Sequence, residues 1–285
     1  MRRHVRRGAG RGRARAWTWA LAALGLACVA AAGVRLAQDA ASVAASAEAA
    51  RSVRVDGRVE PGRIRECADD AVAWLEVGAT SIDLPVMRAP LGDDTFYLEH
   101  DQTGAPSDVG VPYVEADAIA DGPAVMAFGH HVALVGGSFT ELFDLWEPRR
   151  FAEIAQAPTL WTTPEGGTTG YRPVLAARVE SDDALARALA GARGSVPRAE
   201  LHALLGRTKA KADGAEGLVD GARRVLMLVT CASVVPGQSE RTVVVLASTR
   251  EPGVGAARRA ELARSPIADS PCWSSGRDER YQANE

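Results

Sequence analysis

Residues 224–248 read RVLMLVTCASVVPGQSERTVVVLAS, and this stretch decides the fold class. Two apolar, β-branched runs, 225–230 and 242–247, have the composition of buried strands, and the polar residues between them read as a turn. The first run ends on Thr230-Cys231, which sets a thiol at the C-terminal mouth of a strand. Arg241 opens the second run, ten positions after the cysteine. If the two strands pair, a permanent cation stands beside the thiol. A thiolate near neutral pH needs positive charge close by, and an oxyanion forming on an attacked carbonyl needs a donor. Arg241 suits either task. The other reading is an inert core cysteine beside a solvated arginine, since free cysteine is among the most buried residue types.

A third group lies a hundred residues upstream. Residues 124–130, AVMAFGH, form another apolar run, ending in Gly129-His130-His131. A histidine at a strand end, after a flexible glycine, is well placed to serve as acid or base for a cysteine elsewhere in the fold. The chain has only five histidines, so Gly-His, Thr-Cys and a following arginine make a specific constellation. It resembles the active site of the sortases, the cysteine transpeptidases that attach proteins to Gram-positive cell walls. Met227-Leu228-Val229-Thr230-Cys231 matches that family's TLxTC motif, with Met227 where the family usually has Thr. The resemblance implies Cys231 as nucleophile, His130 rather than His131 as acid–base residue, and Arg241 as oxyanion donor. Leu228 and Thr230 stand as substrate-binding candidates, Thr230 reading equally as a packed strand-end residue.

Ile82-Asp83-Leu84-Pro85-Val86-Met87, Phe96-Tyr97-Leu98 and His100-Asp101 look like the IDYPV and YYL-x-HD runs of class B sortases. Gly129-His130-His131, then Gly137-Ser138-Phe139 and Leu142, look like that class's GHNM-x-x-G-x-x-F-x-x-L. The similarity spans roughly residues 70–250, with a divergent 232–238 after the cysteine. It implies an eight-stranded β-barrel and a two-step transfer. In that transfer Cys231 cleaves the C-terminal sorting signal of a secreted protein, and the acyl group passes to an amine of a peptidoglycan precursor or a pilin. No cofactor or metal is implied, and no C-x-x-C or clustered His/Cys spacing calls for zinc.

The N-terminus is strongly asymmetric. Eight arginines and no acid fall within residues 1–35, so the remainder carries a net −11 against −3 for the whole chain. A basic tail and an acidic body argue against nucleic acid as partner. Residues 16–34 carry no charge, and nineteen residues at 1.5 Å each just cross a hydrocarbon core of about 30 Å. The expected organisation is a basic cytoplasmic tail (1–15), a single membrane span in contact with lipid (16–34), and a helical stalk and linker (35–71). An extracellular catalytic domain (72–250) and a poorly ordered tail (251–285) follow. A cleaved signal peptide, from the small residues 30–32, and a lipoprotein cysteine at Cys28 are the competing readings.

Within the domain, strands are expected at 73–77, 81–87, 111–114, 124–128, 159–163, 171–180, 225–230 and 242–247, eight in a mostly β barrel. Helical spacing marks 139–146, 150–156, 182–192 and 198–205. Glu99, His100 and Asp101 read as hydrogen-bonded loop residues. Cys67 and Cys272 are a candidate disulfide in an oxidising setting. A cysteine peptidase with water as acceptor, or a membrane-anchored binding module without activity, are the alternatives from other classes. An L,D-transpeptidase motif, with His-Gly immediately before the cysteine, does not fit Leu228-Val229-Thr230.

Overall fold

The computed structural model describes residues 9–132, 136–232 and 239–249. Residues 1–8, 133–135, 233–238 and 250–285, Cys272 included, lie outside the described residues. The chain opens with α1 (Ala9–Ser52), a hairpin of β1 (Arg54–Val55) and β2 (Arg58–Val59), and α2 (Ile64–Cys67). Then come β3 (Ala71–Val77), β4 (Asp83–Arg88), β5 (Tyr113–Val114), β6 (Ala124–Phe128), α3 (Pro148–Ile154), β7 (Thr159–Thr163) and β8 (Gly167–Glu180). A helical layer of α4 (Ala184–Ala190), α5 (Arg198–Arg207), β9 (Ala210–Lys211) and α6 (Ala215–Asp220) leads to β10 (Arg224–Cys231) and β11 (Glu240–Ser248).

The sheet runs β11-β10-β6-β5-β4-β3-β7-β8-β9, and β11 pairs again with β8. That second pairing closes eight strands into a mixed barrel, with β9 as a two-residue extension on β8. β10–β6 and β4–β5 are parallel, and the other pairings are antiparallel. All eight expected strands are present. The third is shorter than expected, because Pro112 has no N–H to give a ladder and pairing starts at Tyr113.

Residue alternation sorts the strands into two buried faces. Leu75, Val125, Trp161, Leu226, Leu228 and Val244 fill the barrel interior. The outer faces of β6, β8, β10 and β11, with Met126, Val179, Met227, Val229 and Val243, pack under α4, α5 and α6. Strands covered on both faces read as unbroken apolar runs, which is why β10 and β11 stood out in the sequence. A third cluster joins Val53 at the end of α1 to Ile64, Trp74 and Tyr97.

Asp183 caps α4, its Oδ1 accepting from the N–H groups of Leu185 (2.8 Å) and Ala186 (3.3 Å). The spacing at 139–146 yields only a single 3₁₀ turn, Thr140–Leu142, whose flanking apolar residues Phe139 and Leu142 are buried in the barrel interior. The sequence had not marked β9 and α6; α6 begins only after Gly214 turns the chain at φ +70°. α1 runs unbroken through both the expected span and the expected stalk. Among the described residues it is the one helix long and apolar enough to cross a membrane. Cys67 is a free thiol, 3.4 Å from Ser52 Oγ.

Candidate active site

β10 and β11 form an antiparallel pair in which Cys231 stands directly opposite Arg241. Directly opposed residues share a face with Cβ atoms about 4.5–5.5 Å apart. The expected neighbourhood of thiol and guanidinium is therefore a matter of register. On the other side of β10, the parallel ladder with β6 ends at Phe128↔Val229, and Gly129 N–H extends it by donating to Val229 C=O at 3.0 Å. The next residue along, His130, comes level with the end of β10. Val229 and Val243, two positions from Cys231 and Arg241, belong to the outer cluster, as does Met126. Alternation thus turns Cys231, Arg241 and His130 toward the outside of the barrel. All three are partly exposed.

His130 is held at its backbone on both sides. Its N–H donates to Ser138 Oγ at 3.0 Å, and its C=O accepts from Phe139 N–H at 3.0 Å. Gly129 is required there, because a Cβ would sit 2.6 Å from the Phe139 ring. Burial holds the His130 imidazole below the ordinary histidine value, an effect opposed by Glu99 and Asp108 and reinforced by His131 and Arg241. Arg241 therefore acts on the ring electrostatically as well as facing the thiol.

His131 takes the opposite side. Its ring stacks on Phe143, centroids 4.3 Å apart, with both ring nitrogens buried and without a hydrogen-bond partner among the described residues. Burial lowers its pKa too. Glu99, His100 and Asp101 fall in a tight loop. Asp101 Oδ1 accepts from Thr103 N–H (2.8 Å), Thr103 Oγ1 (2.6 Å) and Ala105 N–H (3.1 Å), and His100 stacks on Phe96.

Two of the expected site residues face into the barrel. Leu228 is completely buried among the barrel-interior residues, and Thr230 is 2% exposed with its hydroxyl unpartnered. The reason is the period of a strand: with Cys231 outward, Thr230 and Leu228 must face inward. A pocket of about 200 Å³ lies between the outer faces of these strands and α4, lined by Met126, Phe128, Val179, Val229, Val243, Ala186 and Ala190 and reaching Arg241. Reading β6, β8, β10 and β11 by strand parity from Cys231 would have found the strand residues that line it. The contribution of α4 carries no such signal.

No family sequence model matches the chain, nor does any curated protein sequence. Solved structures do match. Clostridium perfringens sortase B is 20% identical with a TM-score of 0.52, over 66% of this chain and 98% of that one. A Bacillus anthracis protein described as similar to sortase B is 15% identical with a TM-score of 0.53, over 71% and 92%. A Streptococcus pyogenes class B sortase involved in pilus biogenesis is 17% identical with a TM-score of 0.50, over 64% and 94%. At these identities the likeness is one of architecture, and the architecture is that of the class B sortases.

Proposed function

We propose that the protein is a membrane-anchored cysteine transpeptidase of the sortase type. One observation carries the reading: a thiol directly opposite a guanidinium, with a histidine two residues beyond the end of the strand on the other side, all three partly exposed. An extended peptide lies beside Cys231 with a small apolar side chain in the pocket. The Cys231 thiolate attacks a backbone carbonyl near the C-terminus of a secreted protein; the C–S bond forms as the carbonyl electron pair moves to oxygen. Arg241 and a backbone N–H near Cys231 hold that oxyanion. The His130 imidazolium protonates the departing amine as the C–N bond breaks, leaving a thioacyl enzyme. An incoming amine gives its proton to His130, forms a new amide and expels the thiolate.

Because burial lowers the His130 pKa, the imidazolium becomes scarcer as pH rises through that lowered value. Glu99 and Asp108 oppose that loss and favour the charged ring. The apolar helix fits an anchor with the arginine-rich tail in the cytoplasm and the barrel outside. The acceptor is a cell-wall amine. The pilus-linked relative among similar structures supports a pilin amine as the second reading.

Mass spectrometry of Cys231 after incubation with a library of sorting-signal peptides tests the proposal. A thioacyl adduct on wild type, absent from Cys231→Ala and discharged by an added amine, is expected. Discharge by water at the same rate with and without amine identifies a peptidase instead. Absence of any adduct overturns the reading.

A further inference from the structure

Past the apolar run, α1 does not hang free of the barrel. Arg35, Asp39, Ser42 and Ser46 recur at intervals of four, three and four residues, one face of a helix. That face meets the loop 102–108 point by point. Arg35 Nη1 lies 2.9 Å from Asp108 Oδ1, and Asp39 Oδ1 accepts from Asp108 N–H at 3.0 Å. Ser107 Oγ lies 3.2 Å from Ser42 Oγ, and Ser46 Oγ donates to Gln102 Oε1 at 3.2 Å. Asp39 and Ser42 are buried by these contacts.

The same face also supports the loop after His130. Gly137, at φ +84°, passes so close that a Cβ there would lie 3.0 Å from Val109 and 3.5 Å from Val43 of α1. Its neighbour Ser138 accepts the His130 N–H, and Asp108 acts electrostatically on the His130 ring. A cavity of about 690 Å³ runs along α1 from Ser42 to Arg51 beside these contacts. At the end of the helix, Ala49 and Ala50 pack against the third cluster, so α1 is held by apolar packing there and by the polar contacts at the loop.

We propose that the Arg35-Asp39-Ser42-Ser46 face of α1 is a positioning element of the active site, and that Asp108 is the positioning residue through which it acts on His130. The inference rests on the proposed role of His130. It implies that the anchor helix and the catalytic centre are one mechanical unit, with the docked loop at the level where α1 leaves the lipid. The groups acting on His130 are Glu99 and Asp108, which favour its charge, and His131 and Arg241, which oppose it.

The test is the pH profile of Cys231 alkylation by iodoacetamide, followed by mass spectrometry on the full chain in detergent, so that no substrate is needed. Asp108→Asn removes one carboxylate facing His130 and should move the profile to lower pH by about half a unit, or about threefold in rate on the sloping limb. The double change Asp39→Leu with Ser42→Leu should move the profile in the same direction without touching the barrel. Asp39→Asn, which keeps the accepting oxygen, should restore it. A profile unchanged in both Asp108→Asn and the double variant overturns the proposal, as does a shift in Asp39→Asn equal to that in the double variant. A His130→Ala profile identical to wild type refutes the role of His130 itself, and so separates failure of the site from failure of the docking. Thermal unfolding of each variant removes misfolded protein from the comparison.

Discussion

The two faces of β10 are built from neighbouring residues and do opposite work. Outward, Cys231 stands between Arg241 and the end of β6, partly open to solvent, and an apolar pocket reaches Arg241. Inward, Thr230 and Leu228 are closed off, and His131 is stacked on Phe143 near by, its ring nitrogens unpartnered among the described residues. The outer face sets a thiol beside a guanidinium, whereas the inner face is apolar along Leu226 and Leu228 and carries its one charge on β10, Arg224, at the far end, hydrogen-bonded to Asp121 C=O. A single-residue shift of register would exchange them.

The difference is sharpest in how each face should fail. Arg241→Ala is expected to lower acyl-adduct formation by about 10²–10³ while leaving thermal stability nearly intact, because it removes one donor to the oxyanion. Pre-steady-state adduct kinetics measure it, and a loss under tenfold would remove Arg241 from that role. Leu228→Ala should do the reverse. It opens a void in the barrel interior and is expected to cost about 2–5 kcal/mol of stability, read by denaturant unfolding, with the folded fraction still acylated.

Thr230→Val is a finer probe of the same face. The buried hydroxyl has no partner among the described residues, so replacing it with a methyl is expected to stabilise the chain by about 1 kcal/mol and to leave adduct formation within about threefold of wild type. Marked loss of activity at unchanged stability would return Thr230 to the substrate-binding site. The smallest expected effect concerns His131. Burial depresses both histidines in the folded state, so the unfolded chain binds protons more readily below the ordinary value of 6.5. Stability should fall as pH drops through that range, and His131→Phe should make the fall shallower.

Most of the barrel was legible because β10 and β11 are covered on both faces and advertise it in unbroken apolar runs. The trio His130, Cys231 and Arg241 was legible as motif, and the register then set the cysteine opposite the arginine. A contiguous string such as TLxTC does not convey which way each side chain points: the alternation that turns His131 away from the thiol also turns Thr230 and Leu228 inward. α6 and β9 escaped because six- and two-residue elements carry too little periodicity to register. Helix through the span and the stalk was legible from propensity, and α1 joins the two without a break because backbone helicity does not depend on which solvent the side chains meet. Its docking stripe, set by 3.6-residue geometry, is visible in retrospect only because the loop 102–108 shows what it faces.

The closing pair β8–β11 leaves a last consequence. β10 is bonded on both edges by β6 and β11, and β11 on both edges by β10 and β8. Neither strand can fray singly, so exchange of the amide protons of Val229 and Val243 with solvent should demand opening of the whole barrel. Cys231 is thus carried at the end of a strand held on both edges. Under the proposed function, adaptation to different peptides falls to the surrounding helices, which can change shape without loosening the sulfur.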